Sequence, residues 1–379
     1  MSHRRITTPL CVLALAALAV AGTVGLGRAW LTRRAPEATA RPTAAAPAPA
    51  PAFLHPLARA ATLRRDAVAD WPLDTHLRTL RRRRDADALI AYALLLPLAR
   101  PDDPTVADVQ RRALAEAARR APDDAFANAL HSGHCFDGTP ACLAAAEAWV
   151  AADPDNAAAW LGLADAAQRG GNRHLARLAL AEATRASRHE LYLEQTFRAA
   201  YAALEQAPTP PPDAESRRAL AALWQAPVDD ALLHLTHASA VASAHPVPGL
   251  QVAASACRAR PGYPPPDRAV CLALAERLVR ASSLLVRNLG YGMAVRATAD
   301  RPEGPGWRER YRRFLWVRDQ ATPRLLGPAW ALRAQREGEW TAMLAVLRHH
   351  RIPLAPPPGW LPRNPHERAR VLTGRDPPG

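Results

Sequence analysis

The sequence contains no lysine, and all 49 of its basic residues are arginine. A bias that complete, beside so much alanine and proline, points to a GC-rich genome rather than to selection for guanidinium chemistry. The formal net charge of +14 is therefore a weaker guide to partners than its size suggests. Residues of strand type are scarce too. Only 6% of the chain is aromatic, and runs of valine, isoleucine and aromatics are missing, which argues against a sheet and for an all-α fold. There is no phosphate-binding glycine loop, no G-x-S-x-G elbow, no H-E-x-x-H and no Cys-x-x-Cys-His haem attachment. Those gaps remove the common nucleotide-binding, hydrolase, metalloprotease and cytochrome readings. No catalytic residue and no cofactor is expected.

A length of 379 residues suits one large or two ordinary domains. Residues 9–27 form an uncharged apolar run behind His3, Arg4 and Arg5. Such a run is a signal peptide or a single membrane-spanning helix. Ala19-x-Ala21 and Gly25-x-Gly27 offer small-residue cleavage sites, but a length near 19 residues without a sharp polar cleavage region favours an uncleaved anchor. Residues 1–34 are read as a cytoplasmic stub plus this anchor. Arg28, Arg33 and Arg34 flank the far end, so the arginines alone leave orientation open. Residues 35–52, APEATARPTAAAPAPAPA, are an Ala/Pro linker that is semi-extended and buries no core. Beyond it the sequence divides into a helical domain over 53–207, a second helical part over 208–352 behind the PTPPP interruption, and a proline-rich tail over 353–379.

Capping residues and apolar periodicity predict helices over 53–66, 73–84, 86–96 and 104–121. After the interruption they predict helices near 214–225, 229–244, 247–258, 267–281, 283–297, 306–320, 323–336 and 338–350. The last two, around Gly338 with Trp330, Leu332, Met343, Leu344 and Leu347, form a candidate hairpin. Gly290 and Gly292 fall inside a predicted helix, where small residues allow a close helix contact.

The stretch from Pro154 to Ser187 is the most regular. Asp155 and Asn156 can cap a helix whose Trp160, Leu163 and Ala167 share one face. Gly170-Gly171 ends that helix and Asn172 can cap the next, in which Leu175, Ala176, Ala179, Leu180 and Ala183 form an apolar stripe. Trp160, Leu163, Gly171, Ala176, Leu180 and Ala183 match the 34-residue tetratricopeptide pattern. Ala164, Ala167 and Leu180 depart from its Gly, Tyr and Phe. A 34-residue step backward places Phe126 under Trp160 and Cys142 under Ala176. Residues 123–187 thus resemble two tetratricopeptide repeats. The resemblance implies an α-solenoid of antiparallel hairpins, with Phe126, Trp160, Leu163, Ala176 and Leu180 as packing residues and a buried Trp160 between hairpins. It also implies a protein or peptide as partner on the concave face.

Setting Cys11 aside, Cys135, Cys142, Cys257 and Cys271 fall as two sequence-local pairs behind an export signal. Such pairs suit disulfides in an oxidising compartment. Cys135–Cys142 would close the FDGTPA turn and Cys257–Cys271 the PGYPPP turn, each worth roughly 2–3 kcal/mol. The rival is a metal site, and with it an envelope metal protein or enzyme, formed by His131, His134, Cys135 and Cys142. Against it, the two histidines stand three apart on a helix that must also pack, and C-x6-C suits no common finger. His234 and His237 raise the same question on an apolar helix, where a surface or satisfied core histidine explains them.

Arg81–Arg84 close a helix carrying Leu73, Leu77 and Leu80, where cations suit the negative terminus. Trp307, Tyr311, Phe314 and Leu315 share a helix with Arg308, Arg312 and Arg318. Aromatics interleaved with arginine can stack on bases, but at helical spacing they read as core with a solvated face. No nucleic acid is expected. An anionic membrane or cell-wall surface suits the positive charge better. The sequence thus predicts an inner-membrane protein anchored by residues 9–27 with a periplasmic, helical scaffold domain.

Overall fold

The computed structural model describes residues 73–209, 212–258, 267–325 and 327–377. The apolar run 9–27, the linker 35–52 and the helix expected over 53–66 lie outside the described residues. Among the described residues the elements are seventeen α-helices and one short 3-10 turn, with no strand, and no helix is long and apolar enough to cross a membrane.

In chain order the helices are α1 (Leu73–Arg83), α2 (Ala86–Ala99), α3 (Val106–Arg120), α4 (Ala125–Gly133), α5 (Pro140–Ala152) and α6 (Ala157–Arg169). Then come α7 (Arg173–Arg185), α8 (Leu193–Glu205), α9 (Ala214–Trp224), α10 (Asp230–Ser243), α11 (Leu250–Ala256) and α12 (Arg268–Leu278). The last five are α13 (Leu284–Ala297), α14 (Gly304–Ala321), α15 (Pro328–Glu337), α16 (Glu339–His349) and α17 (Pro365–Thr373).

Most helices begin where a short polar side chain can accept from the first free N–H groups. Asp85, Asp124, Thr139, Asn156, Asn172, Asp213, Asp229, Asp267 and Asn364 all do so. These are the groups that a helix N-terminus leaves without intrahelical acceptors. The start of α8 is different. Its N-cap is Tyr192 in the left-handed region at φ 58, and no side chain caps it. Nothing in the local sequence marks that start, which is why no helix is expected there. The tail behaves in the opposite way, because Asn364-Pro365 caps α17 inside a stretch otherwise read as proline-rich.

Two large cores follow from how the apolar faces meet. The first joins α1, α2 and α3 to α8 and α10, with Leu77, Leu95, Leu114, Phe197 and Leu235 among its buried side chains. The second joins α5, α6 and α7 to α11 through α14 and α17, through Trp149, Leu161, Leu274, Tyr311 and Phe314. The first core runs across the PTPPP segment, so α8 and α10 pack on each other despite the proline run between them. Helix α8 also packs on α2 and on α15, far from it in sequence. A one-dimensional array touches only chain neighbours; here the succession of helices folds back on its own beginning.

Helices α12 and α13 meet at Gly290. A Cβ placed there would lie 2.8 Å from Leu278 Cβ and 2.8 Å from Val279 N, both parts of a neighbour that cannot swing aside. Gly290→Ala is therefore expected to cost about 1–3 kcal/mol despite alanine's better helix propensity, read as a lower urea midpoint at unchanged slope. Gly292 has no such role, since the nearest atom to its Cβ position is the tip of Arg296 at 3.5 Å.

The tail is held by charge. Glu367, 5% exposed, accepts two hydrogen bonds from Arg318 at 2.6 and 2.8 Å. Removing one member of such a pair strands the other. Arg318 keeps Asp319 at 2.7 Å, so Glu367→Ala is expected at the low end of the usual range, about 3 kcal/mol. Faster proteolysis of α17 in the variant, with the rest of the fold intact, checks it.

Candidate functional site

The turn between α4 and α5 gathers the residues of greatest chemical interest. Asp124 starts α4 by accepting from Phe126 N at 2.8 Å, and Thr139 with Pro140 starts α5. Between them Asp137 accepts from the Thr139 amide at 3.1 Å and the Thr139 hydroxyl at 2.7 Å. Those bonds and the charge of Arg111 hold the Asp137 carboxyl below the usual range. Gly138 sits at φ 69 with its Cβ position 2.9 Å from the Arg169 backbone, so only glycine lets the turn lie against the end of α6. Arg169 pairs with Asp165 at 3.0 Å, donates to the Phe136 carbonyl and lies over the Phe136 ring.

This geometry brings Cys135 and Cys142 together as a disulfide with Cα atoms 5.2 Å apart. Cys257, just past α11, and Cys271 in α12 form the second, with Cα atoms 5.6 Å apart. Both spacings fall inside the range a disulfide spans, and both pairs are the sequence-local ones.

The four-ligand metal arrangement does not assemble. Among the described residues, the group whose ligand atoms lie within 4.8 Å of one another is Cys135, Asp137 and Cys142, without His131 or His134. Its two sulfurs are bonded to each other, so neither is a thiolate, and zinc takes thiolates. His131 and His134 instead lean into the protein. Burial and then the charges of Arg119 and Arg111 lower the pKa of His131. Burial and then His131 push His134 down to about 4.

Two further histidines that sequence reasoning passed over complete this region. His245, in the loop after α10, is buried, and burial followed by His134 pushes it down to about 3. His189 is buried after α7 and is held at about 4 by burial. Their ring atoms Nδ1 of His245 and Nε2 of His189 have no hydrogen-bond partner among the described residues. Each is a neutral imidazole at neutral pH. No sequence signal marks them, because their state comes from helices packed over them. His234 and His237 are structural: His234 bonds Thr209 Oγ1 at 2.6 Å, and His237 bonds the Leu233 carbonyl at 2.8 Å.

The repeat positions are mixed. Leu163 and Ala176 are buried, while Phe126, Trp160 and Leu180 are half-buried. The expected burial of Trp160 is thus only partial, and its Nε1 donates to the Pro154 carbonyl at 2.7 Å. The indole that fills the space is Trp149, 1% exposed, whose ring lies on Gly162. The register explains this. α4 begins at Ala125 and α6 at Ala157, two residues short of a 34-residue step, so Phe126 corresponds to Ala158 rather than to Trp160. The cap bonds agree, since Asp124 accepts from Phe126 N as Asn156 accepts from Ala158 N.

The start of α6 is tied to the chain that follows α7. Asn156, fully buried, donates to the Glu190 carbonyl at 2.9 Å and accepts from the Glu190 amide at 2.8 Å, 34 residues on. Asp153, also buried, holds the side chains of Asn156, Arg188 and Tyr192 together. On α14, Trp307, Tyr311, Phe314 and Leu315 are buried, at most 3% exposed, so these rings present no stacking face to a base. Comparisons of the chain with family models, with curated proteins and with solved structures find no match.

Proposed function

We propose that this chain is an exported, membrane-anchored scaffold of helical hairpins that binds a protein or peptide on the concave side of α4 to α7, the part whose helices pack in chain order. Residues 9–27 would hold it in the inner membrane and residues 35–52 would carry the folded part into the periplasm. The observation that carries this reading is the pair of disulfides, Cys135–Cys142 and Cys257–Cys271, each joining sequence-local cysteines. Such bonds persist in oxidising compartments and are rare in a reducing cytoplasm. The repeat-like reading of 123–187 rests on α4 to α7, each packed on the next in chain order, and hairpin repeats present extended binding surfaces.

Thiol labelling of the denatured full chain taken directly from cells, with and without reductant, tests the compartment. The expected result is labelling of Cys135, Cys142, Cys257 and Cys271 only after reduction. Four labelled thiols in the unreduced sample would return the folded part to the cytoplasmic side. Site-specific cross-linking from α6 and α7 in intact cells then tests the scaffold. A discrete adduct of defined mass supports it, and its absence from every exposed position tried would remove the binding role.

A further inference from the structure

Helix α1 ends in a run of arginines whose placement exceeds what a helix end requires. Its apolar stripe, Leu73, Leu77 and Leu80, is buried in the first core. Arg78, Arg81 and Arg82 stand at i, i+3 and i+4 on the opposite, exposed side, spacings at which like charges repel. Arg84 follows in the left-handed region at φ 60, a conformation glycine adopts at far lower cost. Together Arg78, Arg81, Arg82 and Arg84 line a surface cleft of about 360 Å³.

Two of the nearby carboxylates are engaged elsewhere. Asp85 pairs with Arg83 at 3.1 Å, and Asp74 pairs with Arg100 at 3.0 Å. Arg78 bonds only a neutral hydroxyl, that of Thr75 at 2.8 Å. Among the described residues no ion pair is recorded for Arg78, Arg81, Arg82 or Arg84. One or two cations would serve the negative helix terminus. Four guanidiniums around one cleft, without a counter-carboxylate, leave a demand for an external anion.

The geometry points to a phosphate-binding cleft, formed by Arg78, Arg81, Arg82 and Arg84, that seats the headgroup phosphates of anionic membrane lipids. Guanidiniums bind phosphate oxygens in a bidentate fashion, which gives the oxyanion more than a diffuse field. Among the described residues the cleft is lined by arginine, with no ring on which a base could stack, which disfavours single-stranded nucleic acid. Its place in the chain favours a membrane. α1 is the first described element after the apolar run and the Ala/Pro linker, so the cleft belongs to the described helix nearest the tether in sequence. This choice of lipid rests on the anchored reading given above; the cationic cleft itself does not.

The test uses the full chain reconstituted into vesicles carrying a photoactivatable headgroup analogue. One set contains phosphatidylcholine alone and the other contains phosphatidylglycerol as well. Each surface arginine contributes about a fivefold gain in attraction to an anionic surface. Cross-linking within residues 73–85 is therefore expected to be at least about tenfold higher in the anionic vesicles. It should fall to the phosphatidylcholine level in R78Q/R81Q/R82Q/R84Q. It should also weaken as salt rises from about 0.1 M to about 1 M, where the screening length shrinks from about 10 Å to about 3 Å.

A control, R173Q/R177Q/R217Q/R218Q, removes the same charge from exposed positions on α7 and α9 and should cross-link as the parent does. Both variants must still form both disulfides on a non-reducing gel, and Arg81→Gln alone serves if the quadruple variant does not. Undiminished cross-linking in the cleft variant overturns the proposal, as does an equal loss in the control. Binding of inorganic phosphate that abolishes the cross-links at millimolar concentration would assign the cleft to a free phosphate instead. Flotation with neutral vesicles reads the anchor separately. A chain that fails to float there loses the anchored reading, while the cross-linking ratio in anionic vesicles still reports on the arginines.

Discussion

Reducing both disulfides is expected to lower the stability of the folded part by roughly 5 kcal/mol. The two bonds close separations of 7 and 14 residues, and the chain-entropy relation assigns about 2.5 and 3 kcal/mol to loops of those lengths. The loss should add, because one bond joins α4 to α5 and the other joins the end of α11 to α12, with no shared partner. Urea unfolding with and without reductant measures the sum. Cys135→Ala/Cys142→Ala and Cys257→Ala/Cys271→Ala measure the parts. A combined effect below about 1 kcal/mol would mean that the reduced chain already holds both turns in place when unfolded.

Acidification from pH 7 to pH 5 is expected to cost about 4 kcal/mol, mainly through His189 and His245. Both are buried, and their pKa values lie near 4 and 3 against an ordinary 6.5. The folded protein refuses protons that the unfolded chain accepts. Their contribution to stability is thus complete above about pH 6.5 and is lost as the pH falls toward 4. Each contributes about 2 kcal/mol over that interval at 1.36 kcal/mol per unit. His134 has the same sign but is half-buried, so solvent softens its share. His245→Asn should flatten the decline of the urea midpoint below pH 6.5, and an unchanged slope in that variant would exclude His245 as a source.

The helices were legible where a cap and an apolar period coincide. Asn156 and Asn172 mark their helices in the sequence as they do in the fold, and the cysteine pairs were legible because their partners stand only 7 and 14 residues apart. α8 was not, because it begins at left-handed Tyr192 without a capping side chain and is fixed by packing on α2 and α10. The burial of Trp149 in place of Trp160 was hidden by a two-residue shortening between α4 and α6, which a fixed 34-residue step overlooks. His189 and His245 were silent for a related reason: a histidine in a loop acquires its lowered pKa only from helices that arrive from elsewhere in the chain.

Helix α2 has nine consecutive buried residues, Ala88 to Leu96, and α8 (Leu193–Glu205) and α10 (Asp230–Ser243), which help cover it, come much later in the chain. A ribosome or an export channel delivers it long before that cover exists. At 14 residues it is about 21 Å long, short of the roughly 30 Å of a bilayer's hydrocarbon core. Under the export proposed above, that shortness would let the translocating chain carry the segment through without its lodging in the lipid as a second span. Once across, it would stay greasy and bare until the later helices follow. Lengthening α2 by two apolar turns would then remove that safeguard, turning a core helix into a stop-transfer segment that strands α3 onward on the wrong side.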